Sequence, residues 1–174
     1  MRAKIFVDGS NFYFKLKDLK IGKTLDLNFD KLGKFLARKH TLVEARYYVG
    51  RIRQDGSEKT ELLFDGQQKL LGNLKKSGWK YTFGYLMKND GVYHEKGVDV
   101  QIATDILVAT YENICDRIIV VSSDTDLEPA IKKAKEKGKI IEYVGFSHKP
   151  SVAMITFCNE STLLKREDLE PLWT

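Results

Sequence analysis

Short apolar runs separated by longer amphipathic stretches constrain this chain more than any other feature. Residues 3–7 (AKIFV), 43–49, 79–86, 118–121 (IIVV) and 140–144 read as strands. Between them lie helical patterns. Residues 11–19 carry Phe12, Leu16 and Leu19 at i, i+4, i+7 spacing, and Asn28 or Asp30 caps a second helix that runs to Arg38 with Leu32, Phe35 and Leu36 inward. A long helix is expected over residues 58–76, with Leu62, Leu63, Leu70, Leu71 and Leu74 as its apolar stripe. It ends at Gly78, where a left-handed cap favours glycine. Residues 98–113 and 126–137 are further helices, the second closing at Gly138, and residues 151–158 form a short one. Residues 51–57 and 88–96 read as polar loops, with turns at Asp55-Gly56 and Asn89-Asp90-Gly91. Residues 163–172 show no readable pattern.

Strands alternating with helices predict a three-layer α/β fold: a mainly parallel central sheet, right-handed crossovers, and helices on both faces. The 174 residues fit one domain, 1–174. A chain of this size buries roughly 70% of its unfolded surface and needs no disulfide or metal staple. Cys115 and Cys158 lack the spacing of a zinc site or a disulfide framework, so buried free thiols in a reducing compartment are expected. Residues 1–8 lack the apolar core of a signal peptide, and no stretch approaches the ~20 apolar residues of a membrane span. The expectation is a soluble, cytoplasmic protein. A net charge of +5 is a mild bias, informative only if the lysines gather on one face.

In such sheets ligands bind beyond the carboxyl ends of the strands, where strand order reverses. Acidic residues stand at those places. Asp8 ends the first strand in VDGSN, Asp124 and Asp126 follow IIVV in SSDTD, and Asp99 opens a helix in KGVD. If the first and fourth strands are neighbours, these four carboxylates converge. Close carboxylates repel, and a divalent cation with a preference for hard oxygen ligands removes that repulsion. Each residue also has a plainer role: Asp8 in a turn with Gly9, Asp99 and Asp126 as helix caps. Capping alone accounts poorly for all of them together. Asp105 lies six residues after Asp99, about 240° around a helix, so the two cannot point the same way. It is a second-rank candidate that reaches the site's edge or pairs with a lysine. Asn11 either contacts a carboxylate or phosphate or caps the first helix. Lys96 either contacts the scissile phosphate or is a solvated loop lysine.

The segments VDGSN, KGVDVQIATD and VSSDTDLEP, in this order, resemble the NYN domain of the PIN-like nuclease superfamily, in its LabA-like branch. The resemblance covers roughly residues 4–145. It implies a Rossmann-like, PIN-like sheet and a ribonuclease dependent on Mg²⁺ or Mn²⁺. By matching position it implies an acidic site of Asp8, Asp99, Asp124 and Asp126, with Asn11 and Lys96 beside it as catalytic residues. Asp105 also matches an acidic position common in that branch.

The expected chemistry is hydrolysis of RNA phosphodiester bonds, with one or two ions activating water. His40, His94 and His148 lie in separate loop-like stretches without ligand or triad spacing. Arg51, Arg53, Lys88 and Lys96 are the candidate RNA phosphate contacts. Tyr85 and Tyr93 either stack on unpaired bases or pack in the sheet and loop. The main rival is a non-catalytic RNA-binding or regulatory module that keeps the acidic pocket. A phosphatase of the haloacid-dehalogenase type fits poorly, because its paired aspartates follow the first strand whereas Ser10 occupies the second position here. Nucleotide-binding glycine motifs are missing from the sequence. Oligomeric state, a homo-oligomer included, is left open.

Overall fold

Alternate residues of the apolar strands serve two cores, one on each face of the sheet. In the computed structural model, residues 1–173 are described, with the side chains of residues 86–88 and 92–95 outside the description. The chain runs β1 (Arg2–Asp8), α1 (Gly9–Leu19), α2 (Phe29–Ala37), β2 (Thr41–Val49), α3 (Glu58–Lys76), β3 (Lys80–Phe83), β4 (Tyr85–Asn89) and β5 (Val92–Lys96). It continues through α4 (Val98–Tyr111), β6 (Arg117–Val121), α5 (Glu128–Glu136), β7 (Ile140–Phe146), α6 (Val152–Phe157), β8 (Glu160–Leu164) and α7 (Arg166–Leu169). Six strands form one sheet in the order β3-β2-β1-β6-β7-β8, parallel throughout.

Ile5 and Val7 of β1 with Ile119 and Val121 of β6 meet Phe12 and Leu16 of α1, Leu32 and Leu36 of α2, and Leu71 and Leu74 of α3. Phe6, Ile118 and Val120, one residue out of phase, meet Ile102 and Ile106 of α4, Ile131 of α5 and Met154 of α6. A period of two in a strand buried on both faces produces this division. The helix ends follow local chemistry. Asn28 accepts the Lys31 N–H, Ser57 accepts the Thr60 N–H, and Gly78 and Gly138 take left-handed conformations after α3 and α5.

Four expectations need correction. Leu62 and Leu63 do not join the apolar stripe of α3: they are 67% and 49% exposed, whereas Leu71 and Leu74 are buried. The run over residues 79–86 is not one strand: β3 stops at Phe83, and Gly84 donates its N–H to Val49 O before the chain leaves the sheet. Residues 88–96 are not an irregular loop. β4 and β5 form a separate antiparallel hairpin, with Asp90 and Gly91 both at positive φ in its turn. The helix expected from residue 126 begins as a 3₁₀ turn, Thr125–Leu127, with α5 following from Glu128. Within the unassigned tail, residues 163–164 belong to the edge strand β8, followed by α7 and a 3₁₀ turn.

At the amino ends of β6 and β7 sits a compensated ionic cluster. Glu142, 1% exposed, accepts from Arg117 at 2.6 Å, Arg38 at 2.8 Å and the Thr162 hydroxyl at 2.7 Å, while Arg117 also pairs with Glu160. Burying these charges is tolerable because each carboxylate oxygen has donors. Both cysteines are free and buried. No helix among the described residues is long and apolar enough to cross a membrane.

Candidate metal centre

From β1 the sheet extends one way through β2 and β3, and from β6 the other way through β7 and β8. The reversal therefore falls between β1 and β6. Asp8 is the last residue of β1, and Asp124 follows the end of β6 by three positions.

Asp8 caps α1. Its Oδ1 accepts the Asn11 backbone N–H at 3.2 Å, and its Oδ2 accepts the Ser122 hydroxyl at 3.1 Å. The Asp124 backbone N–H donates to the same Ser122 Oγ at 3.2 Å. Ser122 is thus a buried link between the first aspartate and the loop that carries the others. Burial pushes the Asp8 carboxyl above its ordinary value. The Asn11 and Ser122 donors oppose that rise without cancelling it, and the charge of Asp124 adds to it.

Asp124 Oδ1 accepts the Asp126 backbone N–H at 2.9 Å and so caps the 3₁₀ turn that leads into α5. Asp99 is the second residue of α4, whose N-cap is Gly97. Asp8 and Asp124 therefore do cap helical turns, whereas Asp99 and Asp126 occupy no N-cap position. Each of the four stands at the start of a helical element, where unpaired backbone N–H groups favour negative charge.

Asp99, Asp124 and Asp126 each bring one carboxylate oxygen within 4.8 Å of the other two. Asp99 and Asp124 are half-buried, and Asp126 is exposed. Two oxygens on one Mg²⁺ lie at most about 4.2 Å apart, twice the usual Mg–O distance. The observed spacing, within 4.8 Å, is close to that limit. The donor set, all hard oxygen, fits Mg²⁺ or Mn²⁺ better than a soft-ligand metal. Asp8 is not one of the three; it joins them through Ser122.

The remaining candidates fall into different places. Asn11 is half-buried in the first turn of α1, and Lys96 is exposed at the end of β5, one residue before Gly97. Asp105 does not belong to the group of three carboxylates: its Oδ2 accepts the Tyr48 hydroxyl at 2.6 Å and its Oδ1 the Gln101 amide at 3.0 Å. Arg51 and Arg53 are exposed after β2, and the Arg51 guanidinium lies over the Phe83 ring, 4.7 Å from its centre. The side chains of Lys88, Tyr93 and His94 lie outside the described residues. His148 sits 3.6 Å from Asp18, and neither it nor His40 belongs to the acidic group.

Sequence reasoning missed Ser122 and Tyr48. A serine two residues before an aspartate is a visible signal, but its partner Asp8 emerges only from the β1–β6 pairing. Tyr48 sits in an apolar strand where its hydroxyl had no assignable acceptor.

The NYN domain matches residues 2–165, and the chain belongs to that family, within the PIN-like nuclease superfamily. An uncharacterized protein of Methanocaldococcus jannaschii is 25% identical over 177 aligned residues, covering 97% of this chain. The chain spans 60% of the length of that relative. Among solved structures, a protein of unknown function from Vibrio parahaemolyticus superposes with a TM-score of 0.73 at 18% identity, covering 97% of this chain and 94% of the other. A bacteriophage T5 5′-exonuclease with bound zinc gives a TM-score of 0.45 at 16% identity, over 74% of this chain and 52% of its own. That last likeness is too partial to carry a functional conclusion.

Proposed function

We propose that this chain is a LabA-like ribonuclease that requires Mg²⁺ or Mn²⁺ and hydrolyses RNA phosphodiester bonds beside Asp99, Asp124 and Asp126. The observation that carries this reading is the approach of those three carboxylates at the strand-order reversal, in a chain of a nuclease family. A bound divalent ion supplies Lewis acidity toward the phosphate and a more acidic water. The chain's own residues do the rest. Asp99, Asp124 and Asp126 hold the ion, each from the start of a helical element that fixes its backbone. Asp8, through Ser122, fixes the loop bearing Asp124. Asn11 lies beside Asp8 as a phosphate or carboxylate contact. Lys96, exposed and three residues before Asp99, neutralises a phosphate oxygen, and Arg51, Arg53 and Lys88 carry the strand on either side.

The test is incubation of structured and single-stranded RNAs with Mg²⁺, Mn²⁺ or EDTA, against an Asp124→Asn control. Ion-dependent cleavage that the substitution abolishes is the expected result. RNA binding without cleavage under every ion condition would replace this reading with that of a non-catalytic module, and cleavage of DNA alone would replace the substrate.

A further inference from the structure

The backbone that leads into Asp99 carries an exposed aromatic ring that the ion site does not use. Tyr85 opens β4 and pairs in register with Lys96, the last residue of β5. Directly opposed residues of an antiparallel pair project to the same face, with Cβ atoms about 4.5–5.5 Å apart. The Tyr85 and Lys96 side chains therefore leave the hairpin on the same face as direct neighbours. Both are exposed, Tyr85 keeping 56% of its surface open. The residue after Lys96 is Gly97, at φ 86°, which begins α4 two positions before Asp99. Gly97 provides the ring with a seat. A Cβ there would lie 2.5 Å from Tyr85 Cδ1 and 3.0 Å from Cζ, and closer still to Cε1. The ring thus packs against the backbone that launches Asp99 while more than half of its surface stays in solvent. The open part of the ring is free to meet a partner while its inner edge stays seated on Gly97.

We propose that Tyr85 and Lys96 form a one-nucleotide subsite in which an unpaired base stacks on the open surface of Tyr85 and Lys96 holds that nucleotide's phosphate. The proposal rests on the ribonuclease reading above and names its substrate class: single-stranded rather than paired RNA. A base inside a duplex has both faces stacked and offers none to a side chain, whereas a splayed base in a single strand offers one. Every base has a π-face, and a lysine contact to phosphate carries no sequence information, so the subsite tolerates any sequence.

The experiment uses the full chain carrying Asp124→Asn, so that RNA survives, and reads fluorescence anisotropy with a short single-stranded RNA and a hairpin duplex. Tyr85→Leu keeps apolar bulk and loses the ring; it is expected to weaken single-strand binding roughly 5- to 100-fold and to leave duplex binding unchanged. Tyr85→Phe should bind as the parent does. Lys96→Gln should weaken binding and reduce the salt slope by about 0.7. Tyr85→Trp keeps a ring on Gly97, and single-stranded RNA should quench its fluorescence. Single-strand affinity unaltered by Tyr85→Leu, equal losses for both RNAs, or no quenching at saturating RNA would each overturn the subsite. If Tyr85→Leu melts early, the Phe and Trp variants decide the question. A parent that binds no RNA overturns the ribonuclease reading itself; a parent that binds RNA regardless of Tyr85 overturns only the subsite.

Discussion

Replacing Asp124 by Asn removes one charge from the three-carboxylate group and changes almost nothing in its shape. The Asp124 carboxylate accepts the Asp126 N–H, and an asparagine oxygen accepts it equally well, so the cap on the 3₁₀ turn survives. What disappears is repulsion with Asp99 and Asp126 across 4.8 Å or less, offset in part by the lost attraction of the charge to the N–H groups of the 3₁₀ turn, about 0.3–1 kcal/mol. At that separation each pair repels by about 0.9 kcal/mol in the dielectric of water. Asp126 is exposed and Asp99 half-buried, so the aqueous limit applies, and salt reduces it further. Net relief of about 1 kcal/mol in the metal-free protein raises Tm by roughly 2–4 °C for a chain of this length. Mg²⁺ at ten times its Kd stabilises the parent by about 1.4 kcal/mol, and the variant, short of one ligand charge, gains less. Thermal melting followed by circular dichroism, in EDTA and in Mg²⁺, should therefore show a crossing. The variant melts later without the ion, loses its advantage with it, and does not cut labelled RNA. A variant that melts earlier in EDTA, responds to Mg²⁺ as the parent does and still cuts RNA refutes the metal centre.

Three further outcomes follow from geometry. Tyr48→Phe removes the 2.6 Å bond to Asp105 and should cost about 1.5–3 kcal/mol as a hydrogen bond to a charged group, read from the urea midpoint. Cleavage should fall with it, because Asp105 and Asp99 share α4; unchanged stability and rate would show that this contact positions nothing. Glu44, its side chain 16% exposed, accepts from Lys4, Arg46 and Lys80. Burial alone would raise its carboxyl, but those three cations outweigh it and hold the group at about 2, below its ordinary 4.5. A depressed carboxylate contributes stability above pH 4.5 that is lost as pH falls through 2, here at most about 3 kcal/mol. Urea midpoints of the parent should therefore drop more steeply over that window than those of Glu44→Gln, and parallel curves would count against the cluster. Finally, affinity for single-stranded RNA should fall with salt at about −0.7 per phosphate neutralised. Salt-independent binding would point to a protein partner or a small ligand.

The central strands and most helix ends were legible because several independent signals agreed there. The IIVV run, apolar on both faces, reads as a buried strand in this context, and Asn28, Gly78 and Gly138 mark helix ends by local backbone chemistry. The sheet's margins were harder to read. Residues 79–86 carry strand formers throughout, and only Gly84 separates β3 from the hairpin, a break that glycine signals in many other settings. β8 was missed because an edge strand is half polar; Glu160 and Ser161 face solvent. At the site, the sequence placed Asp124 at a strand end and Asp99 and Asp126 at helix starts. That Asp8 stands outside their group, tied in by Ser122, depends on how β1 and β6 align, which no local pattern encodes.

The hairpin of β4 and β5 shares no ladder with the six-stranded sheet. Its hydrogen bonds close upon themselves, from the Tyr85–Lys96 pair at the base to Asp90 and Gly91 at the tip. Such an appendage can grow or shrink while the strands beneath keep their register, since each doubling of a flexible loop adds only about 0.6 kcal/mol of closure entropy. The base is seated by the close approach of Tyr85 to Gly97, whereas Asp90 and Gly91 at the tip are exposed. Heredity thus has a part here that it can re-cut without disturbing the frame. Descendants of this scaffold are free to diverge in that hairpin long before they diverge in the six strands beneath it.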